Sequence, residues 1–229
     1  MLAAITSKTK LIFVANPNNP TGSFLTGPEI ADFLGAVPQH IVVVLDEAYN
    51  EYLPAEQQYD AIAMVRQYPH LLVSRSFSKA YGLAGLRLGY SVAQPELTDL
   101  LNRIRQPFNV NTLAQAAAIA ALFDQEFLDQ GATLNRQGYQ QLTTAFTQMG
   151  LHYLPSAGNF ILVQVGADDG AGARVNLALL KQGVIVRPVA NYGLPKWLRV
   201  SIGLPAENAA FLSALEKSLS PLQPHANAM

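Results

Sequence analysis

The chain has no cysteine, which removes disulfides, thiolate nucleophiles and cysteine metal ligands from consideration and suits a reducing compartment. Charge is also scarce. Only 14% of residues are charged, and fifteen basic residues against sixteen acidic ones leave a formal charge of -1. No basic surface is on offer for nucleic acid or anionic lipid. Long apolar runs are missing as well. Leu11 to Ala15 is five residues, too short for a signal-peptide core and far too short to span a bilayer. The alanine-rich stretch from Ala114 to Phe123 is broken by Gln115. The four histidines, His40, His70, His152 and His225, are scattered without ligand spacing, so no metal site is expected. What is present is apolar bulk. Half of the 229 residues are hydrophobic, enough for one or two domains with a substantial core.

Three apolar runs in the first half each end in a polar turn. Leu11–Ala15 leads into Asn16-Pro-Asn-Asn-Pro-Thr-Gly22, Ile41–Leu45 into Asp46-Glu-Ala-Tyr49, and Leu71–Val73 into Ser74-Arg-Ser-Phe-Ser-Lys79. β-Branched runs without alternation are expected of strands buried on both faces of a parallel sheet. Helix-like segments, Gly27 to Val37 and Asp60 to Gln67, lie between them, at roughly the 30-residue spacing of a βαβ unit. The three polar turns are therefore expected at one carboxyl edge, where open α/β sheets bind ligands. A short strand is expected to end at Ala93. Helices follow over Pro95 to Arg105, Leu113 to Phe123 and Gln125 to Met149.

The last third reads as α+β. Strands are expected at His152-Tyr153, Phe160 to Val165, Val184 to Arg187 and Trp197 to Ile202, with helices near Arg174 to Gln182 and Glu207 to Leu219. Gly166 to Gly172 reads as a flexible surface turn, and the tail after Ser220 as frayed. The domain division implied is 1–147 for a large domain and 148–229 for a small one.

The three turns carry a particular set of groups. Lys79 becomes a nucleophile toward an aldehyde once its ammonium loses a proton. Asp46 is the kind of group that keeps a pyridine nitrogen protonated, and a protonated ring is an electron sink. Tyr49 and Asn19 offer hydrogen bonds to a phenolate-like oxygen, and Ser76 and Arg87 suit a phosphate. Together they describe pyridoxal 5'-phosphate. Each residue also has a plainer reading: Asp46 as a helix cap, Tyr49 as a packing aromatic, Ser76 and Arg87 as a cap and a structural ion pair. Asn159 could simply close a turn, and Tyr81 and Tyr90 are expected to pack.

In this order, Asn16-Pro-Asn-Asn-Pro-Thr-Gly22, Asp46-Glu-Ala-Tyr49, Ser76-Phe-Ser-Lys79 with Arg87, and Leu198-Arg-Val-Ser-Ile-Gly203 resemble the fold-type-I pyridoxal-phosphate-dependent aminotransferases. Gly158-Asn-Phe-Ile-Leu-Val163 and Gly183-Val-Ile-Val-Arg-Pro188, followed by Arg199, resemble the histidinol-phosphate branch of that family. The resemblance implies an α/β type I transferase with a mostly parallel sheet and a smaller C-terminal α+β domain, acting as a cytoplasmic homodimer. It implies Lys79 as the Schiff-base lysine and general acid/base. Asn19, Asp46, Tyr49, Ser76 and Arg87 become cofactor contacts, and Arg199 a grip on the acidic end of the substrate. Two arginines suit a nearly dianionic phosphate better than one, so Arg187 is expected to share it, with Asn19 nearby. The implied reaction exchanges an amino group between histidinol phosphate and 2-oxoglutarate. Rivals are an aromatic or aspartate-type aminotransferase, a threonine-phosphate decarboxylase, and a non-catalytic remnant or regulator fragment. Family members also carry an N-terminal arm, a glycine- and serine-rich turn opening a phosphate-binding helix, and a stacking aromatic. None of these precedes Leu11, so Met1 reads as an internal methionine, the sheet as lacking its first strands, and these residues alone as poor binders of cofactor with little activity.

Overall fold

The computed structural model describes residues 1–219; the tail expected to fray lies outside them. The chain divides into two compact units, Met1–Thr133 and Leu134 onward.

The first unit is built on a four-stranded sheet in the order β1 (Leu11–Ala15), β2 (Val42–Asp46), β3 (Leu71–Ser76), β4 (Gly89–Ala93). β1, β2 and β3 are parallel, so their carboxyl ends share one edge: Ala15 pairs with Asp46, and Asp46 with Ser74. β4 returns antiparallel, with Ser76 opposite Gly89. One face of the sheet is closed by a core of Ile12, Val14, Val43, Leu45, Leu71 and Val73 packed under Ile30 and Leu34. On β1 the burial alternates, leaving Leu11 and Phe13 exposed. That strand is half-buried, whereas its continuous apolar run had suggested burial on both faces.

The crossover helix α1 (Gly27–Ala36) begins in a capping box, Thr26 accepting from the Glu29 amide while Glu29 binds back to Thr26. Such caps are worth about 1 kcal/mol. Pro28 follows the cap where its missing N–H costs nothing. The second crossover is shorter than its sequence suggests. α2 spans Ala61–Met64, capped by Asp60 on the Ala63 amide, and the chain then tightens into i→i+3 turns through Gln67. α3 (Pro95–Ile104), α4 (Thr112–Leu122) and α5 (Gln125–Gln148) follow β4. α5 is one uninterrupted helix, and the division between units falls inside it. The sequence had placed the boundary near its end.

The second unit holds an antiparallel sheet in the order β5 (Tyr153–Leu154), β6 (Phe160–Gln164), β8 (Trp197–Ser201), β7 (Arg187–Pro188). Its core joins Leu142 and Phe146 of α5 to Ile161, Val163, Leu198 and Val200. Val175 and Leu179 come from α6 (Ala171–Leu180), and Phe211 and Leu215 from α7 (Pro205–Leu219). Two expectations need correction here. Val184 and Val186 face this core and Ile185 is exposed, so the alternation of a strand is present, but ladder pairing to β8 is confined to Arg187 and Pro188. Gly170-Ala-Gly172 is no loose turn. Ala171 and Gly172 are buried, and the Gly172 amide donates to the Pro195 carbonyl at 3.1 Å. A side chain at 172 would run into that same carbonyl.

Candidate active site

The shared carboxyl edge of β1, β2 and β3 gathers the polar turns. Asp46 is the last residue of β2, and pleating sends it to the exposed side while Leu45 and Glu47 turn into the core. Its Oδ1 accepts from the Ala48 amide at 3.1 Å, which fixes the carboxylate at the start of the turn. Three residues on, Tyr49 is buried at 6% exposure. Its hydroxyl receives the Asn19 amide nitrogen at 3.5 Å, joining the β1 and β2 turns across 30 residues of sequence. The Asn16–Pro17 and Asn19–Pro20 peptides in the β1 turn are both cis.

Lys79 comes from the turn after β3. Its ammonium stands 5.4 Å from the centre of the Tyr49 ring, within cation–π range, and the residue is exposed. Lys79, Tyr49 and Asn19, separate in sequence, are thus one cluster above the sheet edge. The turn is rigid. Phe77 is buried, its amide donates to the Leu88 carbonyl, and its ring packs against Tyr81 and Tyr90 at 4.9 and 5.8 Å. Tyr81 and Tyr90 are therefore packing residues, and Phe77 is the wedge that aims Lys79.

Ser76 is the last residue of β3, and Arg87 follows the short 3-10 turn Ala84–Leu86. The Ser76 hydroxyl accepts from the Ser78 amide at 3.0 Å, and Arg87 donates to the Ala84 carbonyl at 2.8 Å from a left-handed backbone (φ 56°). Each holds its own loop. Gly89 sits opposite Ser76, and a side chain there would lie 2.7 Å from the Arg75 carbonyl, so only glycine lets β4 approach this closely.

In the second unit, Arg187 on β7 and Arg199 on β8 are register partners, which puts both side chains on one face of the sheet. The Arg199 guanidinium lies 4.9 Å from the Phe160 ring centre. Arg187 is exposed. The Asn159 carbonyl accepts from Ile202, so its backbone links β6 to the end of β8.

Sequence reasoning missed what lies beneath the edge. Glu47, wholly buried, takes both Nε and Nη2 of Arg75 on one carboxylate oxygen at 2.9 Å. Tyr59 also lies against Glu47, and its hydroxyl receives the Asn16 side chain at 2.9 Å. Asn16 in turn clamps Leu25 through both its amide hydrogen and its carbonyl. Burial pushes the Glu47 carboxyl above the ordinary range, against the pull of Arg75 and Tyr59. Burial works against the Arg75 charge, but Glu47 outweighs it and holds the guanidinium above its usual value. The only signal available was Glu47 following a strand whose alternation would turn it inward. Its partner, 28 residues away, left no mark.

Among the described residues there is no group of three or more acidic or histidine side chains placed to hold a metal ion, and no helix is long and apolar enough to cross a membrane.

Comparison with known proteins agrees with this architecture. Residues 1–215 match the family described as aminotransferase class I and II. Histidinol-phosphate aminotransferase 2 of Ralstonia nicotianae is 71% identical over 220 residues, covering 96% of this chain. The chain spans 59% of the length of that relative. A crystal structure of histidinol-phosphate aminotransferase from Sinorhizobium meliloti, in complex with pyridoxal-5'-phosphate, superposes with a TM-score of 0.85 at 34% identity, covering 91% of this chain and 57% of that one. L-threonine-O-3-phosphate decarboxylase from Porphyromonas gingivalis also superposes, with a TM-score of 0.81 at 28% identity over 93% of this chain and 65% of that one. The chain belongs to the class I and II aminotransferases.

Proposed function

We propose that this chain supplies the lysine, the cofactor contacts and the substrate arginines of a pyridoxal-phosphate-dependent enzyme that exchanges an amino group between histidinol phosphate and 2-oxoglutarate. The observation that carries the reading is the convergence of Lys79, Tyr49 and Asn19 at the strand edge that ends in Asp46. The donor set fits the cofactor: an amine for its aldehyde, a carboxylate for its ring nitrogen, a phenol and an amide for its hydroxyl, and a hydroxyl and a guanidinium for its phosphate. When bound, the cofactor supplies an electron sink for the substrate's α-carbon.

The chain's own groups do the rest. Asp46 keeps a proton on the ring nitrogen, held in place by the Ala48 amide. Tyr49 and Asn19 fix the ring oxygen, and Tyr49 carries Lys79 above its face. With the cofactor bound, Lys79 would hold its aldehyde and would serve as the general base and then the general acid that moves the proton of the substrate's α-carbon. Ser76 and Arg87 hold the phosphate. Arg199 takes the acidic end of the substrate, and Arg187, its register partner, shares the phosphate ester. Residues 1–147 serve the cofactor, and the small domain begins at residue 148. The protein works as a cytoplasmic homodimer, a reading that suits the exposed Ile104, Phe108, Leu113 and Phe123.

The threonine-phosphate decarboxylase reading rests on the likeness in fold alone, at 28% identity. Amino-donor profiling of a version with the full length of the relatives separates the readings. Histidinol phosphate should outcompete phenylalanine and aspartate, with glutamate formed from 2-oxoglutarate. Release of carbon dioxide from threonine phosphate in place of glutamate formation would reverse the assignment.

A further inference from the structure

The buried polar groups below the site form one continuous chain. Asn16, just past β1, donates to Tyr59; Tyr59 lies against Glu47, just past β2; Glu47 receives the fork of Arg75 on β3; and Arg75 stands beside its register partner Tyr90 on β4. Each strand end that carries a site residue has its anchor in this chain. Asn16 precedes Asn19, Glu47 follows Asp46, and Arg75 precedes Ser76 and Lys79. Backbone bonds run alongside: Asn16 N–H to the Asp46 carbonyl and Glu47 N–H to the Ser74 carbonyl, both at 2.9 Å.

We infer that Glu47 and Arg75 are positioning residues of this site: their buried ion pair, extended through Tyr59 to Asn16, holds the turns bearing Asn19, Asp46 and Lys79 in fixed relation. The inference rests on the function proposed above for those three residues. Its physical basis is the difference between stability and geometry. A buried ion pair adds little over an apolar pair of the same size, because desolvation cancels much of the attraction. It differs from an apolar pair in being directional. Two guanidinium nitrogens on one carboxylate oxygen fix the offset between β2 and β3 beyond the last ladder bond, where a slip would carry Lys79 off the Tyr49 ring.

The test is the double variant Glu47→Leu/Arg75→Met in the full chain. Replacing both partners leaves no uncompensated charge, so the fold should survive with an unchanged or higher urea midpoint. Amide hydrogen exchange is then read residue by residue. The amides of Asn16, of position 47 and of Phe77 should exchange about tenfold faster or more, the scale of one lost charge-assisted hydrogen bond. The Val43 amide, bonded to the His70 carbonyl within the sheet, should not change. Unaltered exchange at the three turn amides would overturn the inference. Should the double variant lose its strands, Tyr59→Phe decides instead. It removes one hydroxyl and keeps the ring, so the Asn16 amide alone should accelerate, and no change there would likewise overturn the inference.

A second arm adds pyridoxal phosphate, reduces with borohydride and measures the fraction of chain labelled at Lys79. Half-labelling in the double variant should need about tenfold more cofactor, the same energetic scale. Equal labelling with loosened amides would leave a strand tie without a positioning role and would overturn the inference. Failure of the unaltered chain to be labelled would count against the proposed function, while the exchange arm would still judge the tie.

Discussion

Arg187 is the residue whose role separates a phosphate-bearing substrate from the aromatic and aspartate rivals. It stands opposite Arg199 on neighbouring strands, both side chains on one sheet face. Two guanidinium groups on one sheet face can share a phosphate ester, which carries nearly two negative charges. In a version with the full length of the relatives, Arg187→Ala should therefore reduce kcat/KM for histidinol phosphate about ten- to a hundredfold, the range for a lost bond to a charged group. The half-reaction with glutamate, which has no phosphate, should change far less. Equal losses for both substrates would assign Arg187 to the sheet. The placement of Asp46 and of the turns bearing Asn19, Tyr49 and Lys79 at one edge was readable from sequence because each turn follows an apolar run that forms a strand. A residue at the end of a buried parallel strand has one place to go, the ligand-binding edge. Glu47 and Arg75 could not be named, because a contact between residues 28 apart depends on strand register, and register is set only in the folded sheet.

At the scale of elements, strand and helix types followed the apolar pattern closely while their ends did not. α2 stops at Met64 because the following turns switch to i→i+3 bonds. β7 shrinks to two residues because alternation does not guarantee a ladder partner. The antiparallel return of β4 is the feature that most constrains the Lys79 turn. Phe77 N–H bonds to Leu88 across it, and Gly89 lies against the Arg75 backbone. Gly89→Ala should therefore cost about 1–3 kcal/mol of stability, as overpacking does, read as a fall in urea midpoint. The displacement of β3 should also lower the yield of cofactor bound at Lys79. A variant as stable as the parent would show that β4 can move aside without consequence. By contrast, Gly35 and Gly85 have nothing within 4 Å of an added side chain, and alanine at either is a suitable control.

For the molecule as a whole, two units with separate cores carry the proposed roles, the amine and carboxylate in the first and the substrate arginines in the second. The proposed homodimer predicts twice the chain mass in sedimentation, and a single species at monomer mass would remove it. The α/β class of the first unit and the α+β character of the second were both readable from hydrophobic period. The split into two compact units falls inside α5, a 24-residue helix without a break. The central claim concerns a single ε-amine. Borohydride reduction of the chain in the presence of pyridoxal phosphate, followed by peptide mass analysis, should place one phosphopyridoxyl group on the peptide containing Lys79 and leave the Lys79→Ala variant unlabelled. Label spread over Lys8, Lys10 and Lys181, with none concentrated at Lys79, would contradict the account.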